Sequence, residues 1–333
     1  MPDAAPKSHR AWVPWLTGLF ALAALVIVVS RRGEELRFAD LLRHARPGWL
    51  ALALVCQVGT YACAAGAWQR VLARQRIRTS LPQLIPLGLA KLFMDQVAPS
   101  AGLSGTMLVV RALKRRGVPD KASSSAVLVG LLGFHVAYAV ALVLALVLLA
   151  VSGHLGPRTL IIAGLATLLI GIVIGGLLWL ARGKRGGRVR GLLMRIPGLK
   201  GFLKGLSEAP KEALHDRRLL AETTALQFGI FVLDAATLSI CLLALDTPAN
   251  IAGVFAALVI ASLVATITLI PSGLGTFDAT MLGLLRVASV PATAAIGAVV
   301  LFRGFTLMLP LLPGLWLARR EMRGSKGPRA RAT

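Results

Sequence analysis

Two short stretches interrupt the apolar sequence of this chain: Pro99-Ser100-Ala101-Gly102 and Pro271-Ser272-Gly273-Leu274-Gly275. After each break only about 10 residues remain before a polar turn or another proline, whereas a helix needs about 20 residues to cross a bilayer. We therefore predict that residues 82–113 and 250–287 each form a re-entrant hairpin of two half-helices. Irregular backbone of this kind is tolerated at membrane depth only beside protein or a water-filled cavity.

The remainder of the chain is typical of an integral membrane protein. Its 333 residues are 56% hydrophobic and only 15% charged, with a mean hydropathy of +0.75. Such a chain could not cover a soluble fold with charged groups, so lipid must be the solvent for much of it. Six further apolar runs predict full spans, at about 11–30, 48–69, 122–152, 158–181, 219–245 and 291–318. The predicted fold class is an all-α integral membrane protein. It is a polytopic helical bundle, a single transmembrane domain over 1–333 with about six spans and two hairpins.

The positive charge predicts the orientation of this bundle. The net charge is +23, but the basic residues lie in the gaps between apolar runs, which argues against nucleic-acid binding. With the N-terminus in the cytoplasm, the inner segments hold 28 of the 37 Lys and Arg, 11 of them in 182–218. The positive-inside rule therefore predicts that both termini are cytoplasmic.

An internal repeat accompanies the two hairpins. At an offset of 172 residues the matched pairs are Pro99 and Pro271, Ser100 and Ser272, Ser104 and Thr276, Leu113 and Leu285, Lys114 and Arg286, Val118 and Val290, and Pro119 and Pro291. The first repeat covers 48–152 and the second 219–318. In the predicted orientation the two hairpins enter from opposite sides, so the repeats are inverted, as in many transporters.

The basic segment 182–218 joins the two repeats. Its apolar residues recur at roughly helical spacing among Arg and Lys. This pattern predicts an amphipathic cytoplasmic linker that binds anionic lipid, and a solvated loop is the alternative.

The hairpin tips are the first candidate binding site. Each new half-helix presents unpaired N–H groups and a positive dipole end, which suit a phosphate or carboxylate. Close helix packing is the alternative role of the small residues there.

Ionisable residues at membrane depth are the second source of candidates, since they are costly in lipid. The predicted substrate-binding residues are Asp95, Pro99, Ser100, Gly102, Ser104, Arg111, Asp234, Pro271, Ser272, Gly273, Gly275, Thr276, Asp278 and Arg303.

Several candidate side chains have specific expected roles. Arg111 and Arg303 are the side chains best able to hold a phosphate with two hydrogen bonds. Asp234 and Arg303 lie near the middle of two spans beside the second hairpin, so a buried pair between them is expected, with a purely structural ion pair as the alternative. His135 stands alone on an apolar helix and is expected to be a core residue rather than a proton relay.

Common catalytic and cofactor motifs are absent from the sequence. There is no GxxxxGK[ST], HExxH, CxxC or GxSxG pattern, and the three cysteines lie inside apolar runs without metal-ligand spacing. We therefore expect no enzymatic activity, no cofactor and no metal.

The two hairpin sequences resemble those of a known family. The stretch Leu269-Ile270-Pro271-Ser272-Gly273-Leu274-Gly275-Thr276-Phe277-Asp278 is similar to its Pro-Gly-x-Gly-x-x-Glu motif and is followed by Arg303, Pro310 and Gly314. Gln96-Val97-Ala98-Pro99-Ser100-Ala101-Gly102, Arg111 and Arg115-Arg116-Gly117-Val118-Pro119 resemble the companion motif. The family is the lysylphosphatidylglycerol synthase transmembrane region, and the resemblance covers about 11–318. Asp278 stands where the family usually has Glu, and the first motif reads Gly102-Leu103-Ser104-Gly105 rather than a double Gly followed by an acid.

The resemblance implies a lipid-translocating domain of the bacterial inner membrane, without the soluble aminoacyl transferase of bifunctional members. The leading hypothesis is a flippase that moves a phospholipid or lipid-linked molecule between leaflets. The alternatives are a non-catalytic accessory or scaffold for a lipid-modifying enzyme or glycosyltransferase, and an intramembrane transferase acting on a lipid-linked substrate. The sequence is also compatible with a homodimer.

Overall fold

The computed structural model describes residues 45–97, 103–151, 216–268 and 275–323, together with Gly171, Gly175 and Gly273. Every regular element in these ranges is helical. The helices are α1 (Pro47–Arg74), α2 (Leu81–Val97), α3 (Leu103–Arg115), α4 (Asp120–Val151), α5 (Arg217–Ala244), α6 (Ile251–Thr268), α7 (Thr276–Val287), α8 (Ala292–Arg303) and α9 (Leu309–Arg323), with a π-helical segment, Gly304–Met308, joining the last two.

Within the part of the chain that the structure describes, four helical segments are long and apolar enough to cross a membrane: Pro47–Arg74, Asp120–Val151, Arg217–Ala244 and Ala292–Glu321. They coincide with the predicted spans 48–69, 122–152, 219–245 and 291–318. The predicted span 11–30 lies outside the described residues. The same holds for the predicted span 158–181, apart from Gly171 and Gly175, and for nearly all of the predicted linker 182–218.

Each predicted hairpin region contains two helices that pack against each other, α2 with α3 and α6 with α7. The second helix of each pair is short, 13 residues in α3 and 12 in α7. At 1.5 Å per residue these helices are about 18 to 20 Å long, well below the ~30 Å of a hydrocarbon core. Neither helix, over the residues described, is long enough to span the hydrocarbon core by itself.

Helices α1 and α5 pack along their lengths in opposite directions. Arg46, before α1, pairs with Asp246, after α5, at 2.9 Å, and Arg74 at the end of α1 pairs with Asp216 at the start of α5, at 3.4 Å. Between these ends, Gly59 lies against Leu233. Residue numbers that rise along α1 therefore meet numbers that fall along α5, so the two helices are antiparallel.

One end of the molecule, where α1 ends and α5 begins, is rich in arginine and is called the basic end below. Arg115 and Arg116, at and just after the end of α3, both pair with Glu321 near the end of α9, at 2.8 and 2.7 Å. A single apolar cluster joins Leu72 of α1, Leu113 of α3 and Leu219 of α5. The first hairpin therefore starts and finishes at this end.

The second hairpin starts and finishes at the opposite end. A second apolar cluster contains Leu245 just after α5, Val254 of α6 and Leu285 of α7. Gly253 near the start of α6 lies beside Ala288, which follows α7. The two hairpins thus enter the bundle from opposite ends.

Each hairpin also packs against the long helix of the other half of the chain. Helix α2 packs on α9, where Gly314 is so close to Phe93 that a Cβ at position 314 would lie 2.8 Å from the phenylalanine Cβ. Helix α6 packs on α4, where the Tyr138 hydroxyl donates to the carbonyl oxygen of Val259 at 3.5 Å. This exchange joins the two halves into one bundle.

Candidate functional site

The first hairpin places a carboxylate on the start of its second helix. The Asp95 side chain, on α2, accepts a hydrogen bond from the backbone N–H of Gly105 at 3.0 Å, and its other oxygen pairs with Lys91 Nζ at 2.6 Å. The Ser104 hydroxyl donates to the Met94 carbonyl at 3.0 Å. The first turn of a helix has unpaired N–H groups and a positive dipole end, so an acid here is stabilising.

Close approach of the two helices depends on Gly105. A Cβ at this position would collide with Asp95 Oδ1 and with the carbonyl oxygen of Lys91. Any side chain would therefore push α3 away from the carboxylate that caps it.

The second hairpin places a carboxylate on its short helix in a different way. The Asp278 side chain belongs to α7 itself and accepts the Gly275 N–H at 3.0 Å. Its other oxygen accepts a hydrogen bond from Arg303 Nε at 2.6 Å, and Arg303 Nη2 lies 3.4 Å from the Gly273 carbonyl oxygen. The side chains of Arg303 and Asp278 are only 9% and 18% exposed, so this is a largely buried ion pair.

The backbone before α7 needs glycine at two positions. Gly273 and Gly275 have φ values of +60° and +78°, which L-residues with a Cβ rarely adopt. The Thr276 hydroxyl lies 3.3 Å from the Gly273 carbonyl oxygen and 3.1 Å from the Thr268 hydroxyl, which ties the turn to α6. The turn thus directs the Gly273 carbonyl toward Arg303.

Aromatic rings hold the Arg303 guanidinium in position. Its Cζ lies 4.2 Å from the centre of the Phe277 ring, and that ring stacks on Phe302 with centroids 6.1 Å apart. Arg303 is followed directly by the π-helical segment Gly304–Met308. Such segments occur often at functional sites because the extra residue reorients neighbouring side chains.

The expected pair between Asp234 and Arg303 is wrong. Arg303 pairs with Asp278, and Asp234 instead accepts a hydrogen bond from Gln57 Nε2 at 2.8 Å. Gln57 Nε2 also lies 3.1 Å from the Thr237 hydroxyl. Sequence reasoning missed Gln57 and Thr237, although an amide inside an otherwise apolar span is itself a signal.

Arg111 is not brought to the first tip. It lies eight residues into α3, about 12 Å from the helix start, and its side chain is exposed. It makes no ion pair with the residues that the structure describes. The predicted site residues Pro99, Ser100, Gly102, Pro271 and Ser272 lie outside the described residues.

Both short helices therefore begin on an internal carboxylate that is itself paired with a cation. An incoming phosphate at either tip has to bind beside Asp95 or Asp278, or displace it from the helix start. His135 accords with its expected structural role, since its Nδ1 lies 2.8 Å from the Leu131 carbonyl oxygen one turn earlier. No cluster of potential metal ligands occurs among the described residues.

Comparison with known families agrees with this architecture. The family described as the lysylphosphatidylglycerol synthase TM region matches residues 12–314. The chain belongs to this family. No curated protein matches the sequence. Membership, together with the four long apolar helices, makes the chain a multi-pass membrane protein with a lipid-related role.

Proposed function

We propose that this protein moves a phospholipid or a lipid-linked molecule between the two leaflets of the bacterial inner membrane. The observation that carries the proposal is the pair of half-length helices, α3 and α7, which enter from opposite ends and begin on charged pairs inside the bundle. Charged groups at membrane depth are costly, so their presence favours a path for a polar headgroup.

The proposal includes an inverted repeat of two structural units, α1 to α4 and α5 to α9. The helices of the second unit begin 170 to 173 residues after those of the first, in the same order. The corresponding helices α1 and α5 are antiparallel, which supports inversion. Transporters built this way bind substrate where the two units meet.

The basic end is proposed to face the cytoplasm. The ends of α1, α3 and α9 and the start of α5 carry most of the arginines of the described residues, whereas Arg46 and Arg286 lie toward the other end. Positively charged segments are retained on the cytoplasmic side during insertion, which favours this orientation.

In the proposed cycle the protein supplies binding and access rather than chemistry. Arg303 presents the planar guanidinium suited to a phosphate, and Asp278 balances its charge while the site is empty. Asp95 and Lys91 would do the same at the first tip. Rocking of one unit against the other would expose the headgroup path first to one leaflet and then to the other.

The test is transport of a fluorescent phospholipid in liposomes that contain the purified protein. We expect the wild type to move the label and Arg303→Ala to lower the initial rate by at least about tenfold, a loss of about 1.4 kcal/mol. Arg320→Ala is the matched control, because Arg320 lies near the end of α9 over the Trp316 ring and is expected to keep the wild-type rate.

Wild-type liposomes that move no labelled lipid would overturn the proposal. The accessory role would then take its place, tested by adding a candidate lipid-modifying enzyme to the same liposomes. Turnover of a lipid-linked substrate by the purified chain alone, abolished by Asp278→Asn, would instead support a transferase.

A further inference from the structure

The Asp234 carboxylate lies within the hydrocarbon region and takes no part in the charged pairs at the hairpin tips. It lies 17 residues after the start of α5 and 10 before its end, or about 25 Å and 15 Å along the helix. A helix of 28 residues is about 42 Å long and the hydrocarbon core about 30 Å thick, which places this side chain inside the core.

The two oxygens of Asp234 have different surroundings. Oδ1 accepts the hydrogen bond from Gln57, which is 3% exposed, whereas Oδ2 accepts none from the part of the chain that the structure describes. Asp234 is half-buried. It therefore has one tethered oxygen and one open oxygen, open meaning that no donor among the described residues bonds it.

No cation neutralises Asp234 among the described residues. The elements that pack against α5 are α1, α4, α6 and α8. Their titratable side chains, together with those of α5 itself, are Cys56, Tyr61, Cys63, Arg70, Arg74, Asp120, Lys121, His135, Tyr138, Arg217, Arg218, Glu222, Cys241 and Arg303, while α6 has none.

The nearby basic groups are engaged elsewhere. Arg70, Arg74 and Arg218 pair with Glu222 or Asp216 at the basic end, and Arg303 pairs with Asp278. On α1, the phenol of Tyr61 lies one helical turn from Gln57, the partner of Asp234. An ionised carboxylate with only an amide partner in this setting is expensive, and a proton is the simplest group that neutralises it.

We propose that Asp234 is the proton-binding site that couples lipid movement to the proton gradient. The inference rests on the proposed function and names its energy source. The step is the addition of one proton to the open Oδ2, giving a neutral carboxylic acid, and its release to the other side of the membrane later in the cycle.

Gln57 suits a partner that changes its protonation state. Its amide has both a donor and an acceptor, so its N–H₂ bonds the ionised acid and its oxygen can accept from the protonated acid after rotation. The pair also joins α1 to α5, the corresponding helices of the two units. A change of charge at this point therefore acts directly on the contact between the units.

The experiment measures labelled-phospholipid movement in liposomes with and without an imposed pH gradient. For one proton per lipid, a gradient of about two pH units corresponds to a distribution ratio of up to about 100 between leaflets. We expect the wild type to respond to the gradient and Asp234→Asn to lose the response. Asp234→Glu, which keeps the carboxylate, should retain it.

Glu222→Gln is the matched control, because it makes the same chemical change on the same helix at the basic end and should keep the response. Gln57→Met provides a second variant that leaves the acid intact, and it should change the pH at which the rate is half-maximal. If Asp234→Asn is not monodisperse on size exclusion, the pH profile of Gln57→Met tests the coupling role in its place.

The outcomes separate the two proposals. Three results would overturn the coupling role and leave the proposed function standing. They are wild-type lipid movement that does not respond to the gradient, a gradient response that persists in Asp234→Asn, and an unchanged pH profile in Gln57→Met. No lipid movement by the wild type would overturn both.

Discussion

At the scale of single residues, the Asp278–Arg303 pair is the most enclosed charged contact among the described side chains. Arg303 is held by Asp278, by the Gly273 carbonyl and by the ring of Phe277. Breaking a buried pair by removing one partner leaves an uncompensated charge, which costs about 3–5 kcal/mol. The pair is therefore expected to contribute to stability as well as to headgroup binding.

A double-mutant cycle tests this expectation. Arg303→Ala and Asp278→Ala should each destabilise the protein by about 3 kcal/mol or more, and the double variant should cost clearly less than the sum, because no unpaired charge remains. The measurement is denaturant unfolding in detergent. The exposed Lys114–Asp120 pair, at 38% and 69% exposure, is the control and should show a coupling below about 1 kcal/mol. Equal coupling in the two cycles would contradict the account.

The partners of the charged residues could be predicted from the sequence only in part. Lys91 and Asp95 are four residues apart on one helix, so their pairing follows from helical spacing alone. The partner of Arg303 depends on how α5, α7 and α8 are rotated about their axes, and spacing along the chain contains no such information. Arg111 was expected to hold a phosphate, but its position along α3 places it about 12 Å from the helix start.

At the scale of elements, the contact between α1 and α5 organises the molecule. Small residues allow the helices to approach closely: Gly59 lies against Leu233, Gly66 against Leu226 and Gly229 against Cys63. Small residues at such positions are the usual means of close packing in membranes, where apolar burial between helices provides no driving force. This contact is therefore expected to be well defined in register.

A disulfide can test that register directly. A Cβ at position 229 would lie 3.4 Å from the sulfur of the native Cys63, so Gly229→Cys should form a disulfide with Cys63 under mild oxidation. Gly283→Cys is the control, since a Cβ there meets no atom within 4 Å. Peptide mapping should find the 63–229 crosslink in the first variant and no crosslink to position 283 in the second. Absence of the 63–229 crosslink would contradict the antiparallel register.

The element pattern was largely readable from the sequence. The prolines and glycines predicted the breaks, and the length of apolar sequence after each break predicted short helices, as α3 and α7 are. The π-helical segment after Arg303 was not predicted, because such segments are rare and apolar periodicity does not mark them. Hydrophobic periodicity along the chain also could not predict that α2 packs on α9 and α6 on α4.

At the scale of the whole molecule, the two hairpins enter from opposite ends and each packs on the long helix of the other unit. This exchange means that neither unit can move without displacing a hairpin of the other. If the two units are inverted, as proposed, this exchange suits alternating access, since opening one side closes the other.

Side-specific labelling of the hairpin entrances is the measurement that tests this account most directly. In a background with Cys56, Cys63 and Cys241 replaced by alanine, Ser80→Cys and Asn250→Cys place single thiols at exposed, corresponding positions just before α2 and α6. A membrane-impermeant maleimide should label Asn250→Cys in intact spheroplasts and Ser80→Cys only after permeabilisation. Labelling of both thiols from the same side would contradict the inverted arrangement and the headgroup path built on it.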